Sequence, residues 1–132
     1  MKYYFTTSIT GRFEAIETEV IRLLKKEGFG VLTRIDMQET LKKKLNVDFR
    51  NYMILGACNP PFAYKALQVE DKIGTMLPCN IILQEHAPNI IEVSVINPMV
   101  SMQSVDNKTL KTVAEEVSQQ LENVINSIEN EK

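Results

Sequence analysis

The sequence predicts an α+β fold, and three observations carry that prediction. A strand–helix–strand unit opens the chain, two alternating apolar runs occupy residues 80–96, and a helical apolar stripe covers residues 110–128. The chain has 132 residues, 44% of them hydrophobic and 24% charged, which suits one globular domain spanning 1–132.

Residues 3–9 are β-branched and aromatic and predict a first strand. Phe13, Ile16, Val20, Leu23 and Leu24 then recur at helical spacing, and Gly28 supplies the C-terminal cap. From Phe29 the period becomes two, with Phe29, Val31, Thr33 and Ile35 on one face and Leu32, Arg34 and Asp36 on the other, the pattern of a half-buried strand. Asp36 and Glu39 stand in a capping-box relation, so a short helix is predicted over 37–45, with Leu41 and Leu45 on its buried side and Asn46 closing it. The run from Tyr52 to Cys58 lacks polar alternation and predicts a central strand buried on both faces. Asn59 is placed to cap a helix that starts at Pro60 and continues to Val69. Residues 70–78 read as a loop that ends in a trans-proline at Pro78. Residues 80–86 and 90–96 then pair as an antiparallel hairpin around Ala87-Pro88-Asn89. After an ambiguous stretch from Met99 to Val105, Asp106 is placed to cap the last helix, whose stripe runs from Leu110 to Ile128 and must lie on the sheet. The tail from Glu129 to Lys132 is expected to fray.

A formal net charge of -2 offers no broad positive field for a polyphosphate backbone, so nucleic acid is not an expected partner. The densest basic stretch, Lys42-Lys43-Lys44, lies between Glu39 and Asp48 and reads as the solvated face of a helix. The N-terminus turns polar before a signal-peptide core forms, and no run approaches the ~18 apolar residues of a membrane span. The expectation is a cytoplasmic protein with no membrane partner. Its two cysteines are then thiols, metal ligands or transient redox partners rather than a disulfide framework.

Those cysteines lie in two related segments, Ala57-Cys58-Asn59-Pro60 and Leu77-Pro78-Cys79-Asn80. Cys58 precedes a helix start, where unpaired amides and the helix dipole favour a thiolate. A cysteine ending a buried strand is also an ordinary core residue, and burial makes it inert. If the two strands are neighbours, both thiols stand at one end of the sheet, although their spacing forms neither a Cys-x-x-Cys pair nor a zinc knuckle. The single histidine, His86, falls on the opposite strand face from Cys79 and roughly 23 Å away at ~3.3 Å per residue, so the two do not share a metal within one chain. No nucleophile–base pair or phosphate loop can be assembled from the spacing. Tyr52, Phe62 and Tyr64 fit either a pocket near Cys58 or ordinary packing, and Met99 and Met102 fit a soft patch for another subunit.

The segments Asp36-Met37-Gln38-Glu39-Thr40-Leu41, Tyr52-Met53-Ile54-Leu55-Gly56-Ala57-Cys58-Asn59-Pro60 and Ile73-Gly74-Thr75-Met76-Leu77-Pro78-Cys79-Asn80 resemble the prokaryotic domain-of-unknown-function family numbered 302. The resemblance spans nearly the whole chain. It implies a curved, mainly antiparallel sheet backed by a long C-terminal helix, similar to one repeat of the TATA-binding-protein fold, and a homodimer. It marks Cys58, Asn59, Pro60, Leu77, Pro78 and Cys79 as motif positions without implying an activity. The first expectation is therefore a dimeric module binding a small molecule or metal ion through Cys58, Asn59, Pro60, Pro78 and Cys79. A thiol-based redox or sulfur-transfer enzyme with Cys58 as thiolate, and an assembly protein with no site, are the alternatives.

Overall fold

The computed structural model describes residues 1–130. Strands β1 (Tyr4–Thr10), β2 (Gly30–Asp36), β3 (Tyr52–Cys58), β4 (Cys79–Ala87) and β5 (Ile90–Ile96) form one sheet in the order β1-β5-β4-β3-β2. Every neighbouring pair is antiparallel. Helices α1 (Phe13–Lys26), α2 (Met37–Leu45), α3 (Pro60–Val69), α4 (Pro98–Ser101) and α5 (Lys108–Asn130) connect and cover it, with a 3-10 turn at Asp71–Met76.

Alternation along the strands decides which face is covered. Phe5, Thr7 and Ile9 lie across from Val95, Val93 and Ile91, while Met53 and Leu55 lie across from Leu83 and Ile81. This ladder forms one face, and α5 packs over β1 and β5 with Leu110, Val113, Val117, Leu121, Val124, Ile125 and Ile128 all buried. At about 1.5–3 kcal/mol for each fully buried aliphatic side chain, this stripe is a large hydrophobic contribution to the fold. Helix α1 lies beside α5 and ends in the predicted glycine cap: Gly28 has φ 88°, Gly28 N–H donates to Lys25 O and Phe29 N–H to Leu24 O. The other sheet face carries polar pairs, with Thr6 Oγ1 and Ser94 Oγ 2.8 Å apart and Gln84 Nε2 donating to Glu92 Oε1 at 3.0 Å.

Several expectations are corrected. Strand β2 is an edge strand and is mostly exposed, because Leu32 is an extra residue between the Val31–Ala57 and Thr33–Gly56 pairs. Beyond this bulge Arg34, not Ile35, faces the helices, where its guanidinium forks onto the buried Glu17 at 2.7 and 3.1 Å. The central strand is β4; β3 lies between β4 and β2, with Tyr52 and Ile54 only half-buried on the face that α5 does not cover. Helix α2 is capped as predicted, by Asp36 Oδ1 accepting from Glu39 N–H and by Asn46 in the left-handed region. It nevertheless buries no residue, and Leu45 is 66% exposed, although α2 contacts both β3 and β2. The predicted loop over 70–78 contains the 3-10 turn, and the Leu77-Pro78 bond is cis rather than trans. Asn107, not Asp106, caps α5, its Oδ1 accepting from Leu110 N–H at 3.0 Å. Glu129 and Asn130 remain in α5, whereas Glu131 and Lys132, also assigned to the fraying tail, lie outside the described residues.

Gly56 is the tightest point of the β2–β3–β4 region. A Cβ on it would meet Thr33 Oγ1 and would stand 2.7 Å from Pro78 Cγ. Gly56→Ala is therefore expected to destabilise the protein by about 1–3 kcal/mol, read from urea unfolding, with Thr33→Ala in the same chain recovering part of the loss.

Candidate functional site

The two cysteine segments meet because β3 and β4 are neighbours: Ala57 pairs with Cys79, and Cys58 pairs on its other side with Gly30. Cys79 is buried on the helix-covered face with Ala57, and Cys58 is half-buried at the strand end. Both line one cavity of about 250 Å³ at the rim where β3 and β4 meet α3, α4 and α5. Phe29, Phe62, Ala63, Leu77 and Pro78 form its sheet-end and α3 walls, and Pro98, Met102, Val113, Ala114 and Val117 close it from the C-terminal elements. Leu32, 68% exposed, is also on the lining, so the cavity reaches the surface beside the β2 bulge.

Chemically the lining is apolar apart from the thiols and Asn59. Burial, with a smaller contribution from neighbouring Cys58, pushes the Cys79 thiol up to about 11, so it stays protonated at neutral pH. The expected amide support for a Cys58 thiolate is largely missing. Pro60 and Pro61 occupy the first turn of α3 and carry no N–H, while Ala63 N–H is already bonded to Asn59 O at 2.9 Å. Asn59 holds the capping position, but its side chain makes no capping bond to α3. Its amide nitrogen instead donates to Gln120 Oε1 at 3.2 Å and to Glu27 O at 3.5 Å, tying the start of α3 to α5 and the end of α1. Among the described residues no group of three or more histidine, cysteine, aspartate or glutamate side chains is placed to hold a metal ion.

Of the residues singled out from sequence, Cys58, Asn59, Leu77, Pro78 and Cys79 come together on this lining; Pro60 is exposed and does not join them. Phe62 lines the cavity, whereas Tyr64 is 66% exposed and Tyr52 belongs to the other sheet face. Met102 is buried against the cavity and Met99 is exposed. His86 is exposed beside Glu92, with Nε2 3.6 Å from Oε1. Phe29, Pro98, Val113, Ala114 and Val117 had been read only as helix, strand or turn residues. The signal that separates them is size: Ala114 interrupts the larger residues of the α5 stripe where the cavity lies.

The raised Cys79 pKa sets a sign for alkaline stability. The unfolded thiol titrates near its ordinary 9.0 and the folded one near about 11, so the stabilisation from a neutral buried thiol is complete below the first value and lost as pH rises through the second. Urea unfolding at pH 7.5 and 11 is expected to show an alkaline loss about 2 kcal/mol larger in wild type than in Cys79→Ala.

Comparison with known proteins supplies a family and a fold. No curated protein matches the chain. Among solved structures, it is similar to an uncharacterized conserved DUF302 protein from Bacillus stearothermophilus at 24% identity and a TM-score of 0.87, covering 96% of this chain and 98% of that one. The model of the family described as domain of unknown function DUF302 matches residues 5–128, and the chain belongs to that family.

Proposed function

We propose that the protein is a single-domain, homodimeric cytoplasmic module whose rim cavity binds one compact, largely hydrocarbon small molecule. The observation that carries this reading is the apolar cavity of about 250 Å³ where the two cysteine segments meet. A dry cavity of ~150 Å³ accommodates benzene, so the space here suits a bicyclic ring or a short branched chain. The protonated Cys79 thiol and the two prolines at the start of α3 favour this reading over thiolate catalysis or thiolate metal binding. In this role Cys58, Cys79, Pro78 and Phe62 supply soft apolar contact and no bond-making chemistry.

Benzothiophene in excess is expected to raise the melting temperature of wild type by several degrees and to leave Ala114→Leu, whose larger side chain occupies the cavity, unshifted. An unchanged wild-type melt with benzothiophene and with indole alike would remove the reading. Homodimerisation is supported by the unpaired outer edge of β2, where Leu32 and Ile35 are exposed, and by the exposed Leu45 at the end of α2 and Val47 just after it. Light scattering at tens of micromolar protein is expected to give the mass of two chains for wild type and one for Ile35→Glu; a monomeric wild type would overturn this part.

A further inference from the structure

Asn59 is the one cavity-lining residue whose side chain carries nitrogen or oxygen, and it is only 8% exposed. An asparagine at a helix capping position ordinarily turns its oxygen onto the first-turn amides, satisfying both groups. Here that use is absent: Pro60 and Pro61 carry no N–H, and the side chain makes no bond to the remaining Phe62 amide. The orientation of the amide follows from its partners. Glu27 O is a main-chain carbonyl and can only accept, so the nitrogen faces Glu27 and Gln120 and the oxygen faces the other way. No hydrogen bond to that oxygen is made among the described residues. The side chain is nine-tenths buried beside an otherwise apolar space, and its oxygen, held in position by the bonds of its own nitrogen, has no protein donor while staying open to solvent; among the described residues the fully buried side-chain oxygen without a partner is Thr7 Oγ1.

Resting on the cavity reading above, we propose that Asn59 is the specificity-determining residue of the site and that the ligand is a neutral molecule with an apolar body and one N–H or O–H donor directed at the Asn59 carbonyl oxygen. The charge of the surroundings sets the neutrality. No arginine, lysine or histidine lines the cavity, so a ligand carboxylate would be buried without a partner. A ligand of similar shape but without the donor takes solvent from that oxygen without replacing its hydrogen bond and loses affinity accordingly.

Three probes of one size separate the terms: indole, which carries an N–H; benzothiophene, which has the same bicyclic outline and no donor; and indole-3-carboxylate, which adds a charge. Calorimetric titration of the full chain is expected to give indole a dissociation constant about tenfold below that of benzothiophene, despite the greater hydrophobicity of the latter, and at least tenfold below that of indole-3-carboxylate. Asn59→Ala is expected to erase the indole preference while benzothiophene binding stays within about twofold. In wild type, indole is also expected to shift the Asn59 side-chain amide signals in nitrogen-15 NMR, whereas benzothiophene leaves them in place. Benzothiophene binding as tightly as indole, or indole-3-carboxylate binding as tightly as indole, would overturn the assignment while leaving the cavity reading intact. Absence of binding by all three would overturn the cavity reading itself. If Asn59→Ala does not fold, the wild-type probe ratios and the amide signals decide the matter.

Discussion

Burial of one continuous apolar stripe on α5 against a single face of an antiparallel sheet is the constraint on which the other features depend. A two-layer arrangement has only one core, so every strand must send alternate residues to the same side, and α1 must share that side with α5. Where the facing residues are large, as with Leu121, Leu83 and Val93, the layers close to full density. Toward the rim the facing residues shrink to Ala57, Ala63 and Ala114, and the layers leave a space. The cavity is thus a consequence of side-chain volume at the edge of a packed interface rather than of a separate loop structure.

The apolar lining explains the contrast between the Cys79 thiol and the one amide in that space. A thiol removed from water keeps its proton and loses reactivity, which is the fate of Cys79. A carbonyl oxygen removed from water has no corresponding way to become inert, and its need for a donor grows as water is excluded. Burial therefore keeps the Cys79 thiol protonated, and in the proposed reading the selective role falls to Asn59. Pro60 and Pro61 contribute by removing two of the first-turn amides, leaving that of Phe62.

Close packing around Gly56 ties the two cysteine segments together. Thr33 and Pro78 approach this glycine from the strands on either side, so β2, β3 and the entrance to β4 are held in one register at the cavity end of the sheet. The bulge at Leu32 belongs to the same region. It turns Arg34 toward Glu17 on α1, which anchors the edge strand to the helical layer, and it leaves Leu32 at the cavity mouth.

The amino-acid pattern alone determined the elements whose signals are local. Helical spacing marked α1 and α5, the Asp36–Glu39 relation marked the start of α2, Gly28 marked the end of α1, and the alternating runs marked the β4–β5 hairpin. The two cysteine segments are legible as strand termini, because apolar runs and turn residues mark where strands end, whereas their meeting at one end of the sheet depends on the pairing of β3 with β4. Tertiary structure decided what periodicity cannot encode. The bulge that exposes β2, the solvent-facing Leu45 of α2, and the choice of β4 rather than β3 as the central strand depend on which surfaces other elements cover. The orientation of the Asn59 amide likewise depends on Gln120, 61 positions away, and on a carbonyl 32 positions before it. Local patterns fix what a segment becomes, since backbone dihedrals and capping bonds act within a few residues; burial and hydrogen-bond partnership are settled only when distant segments compete for the same space.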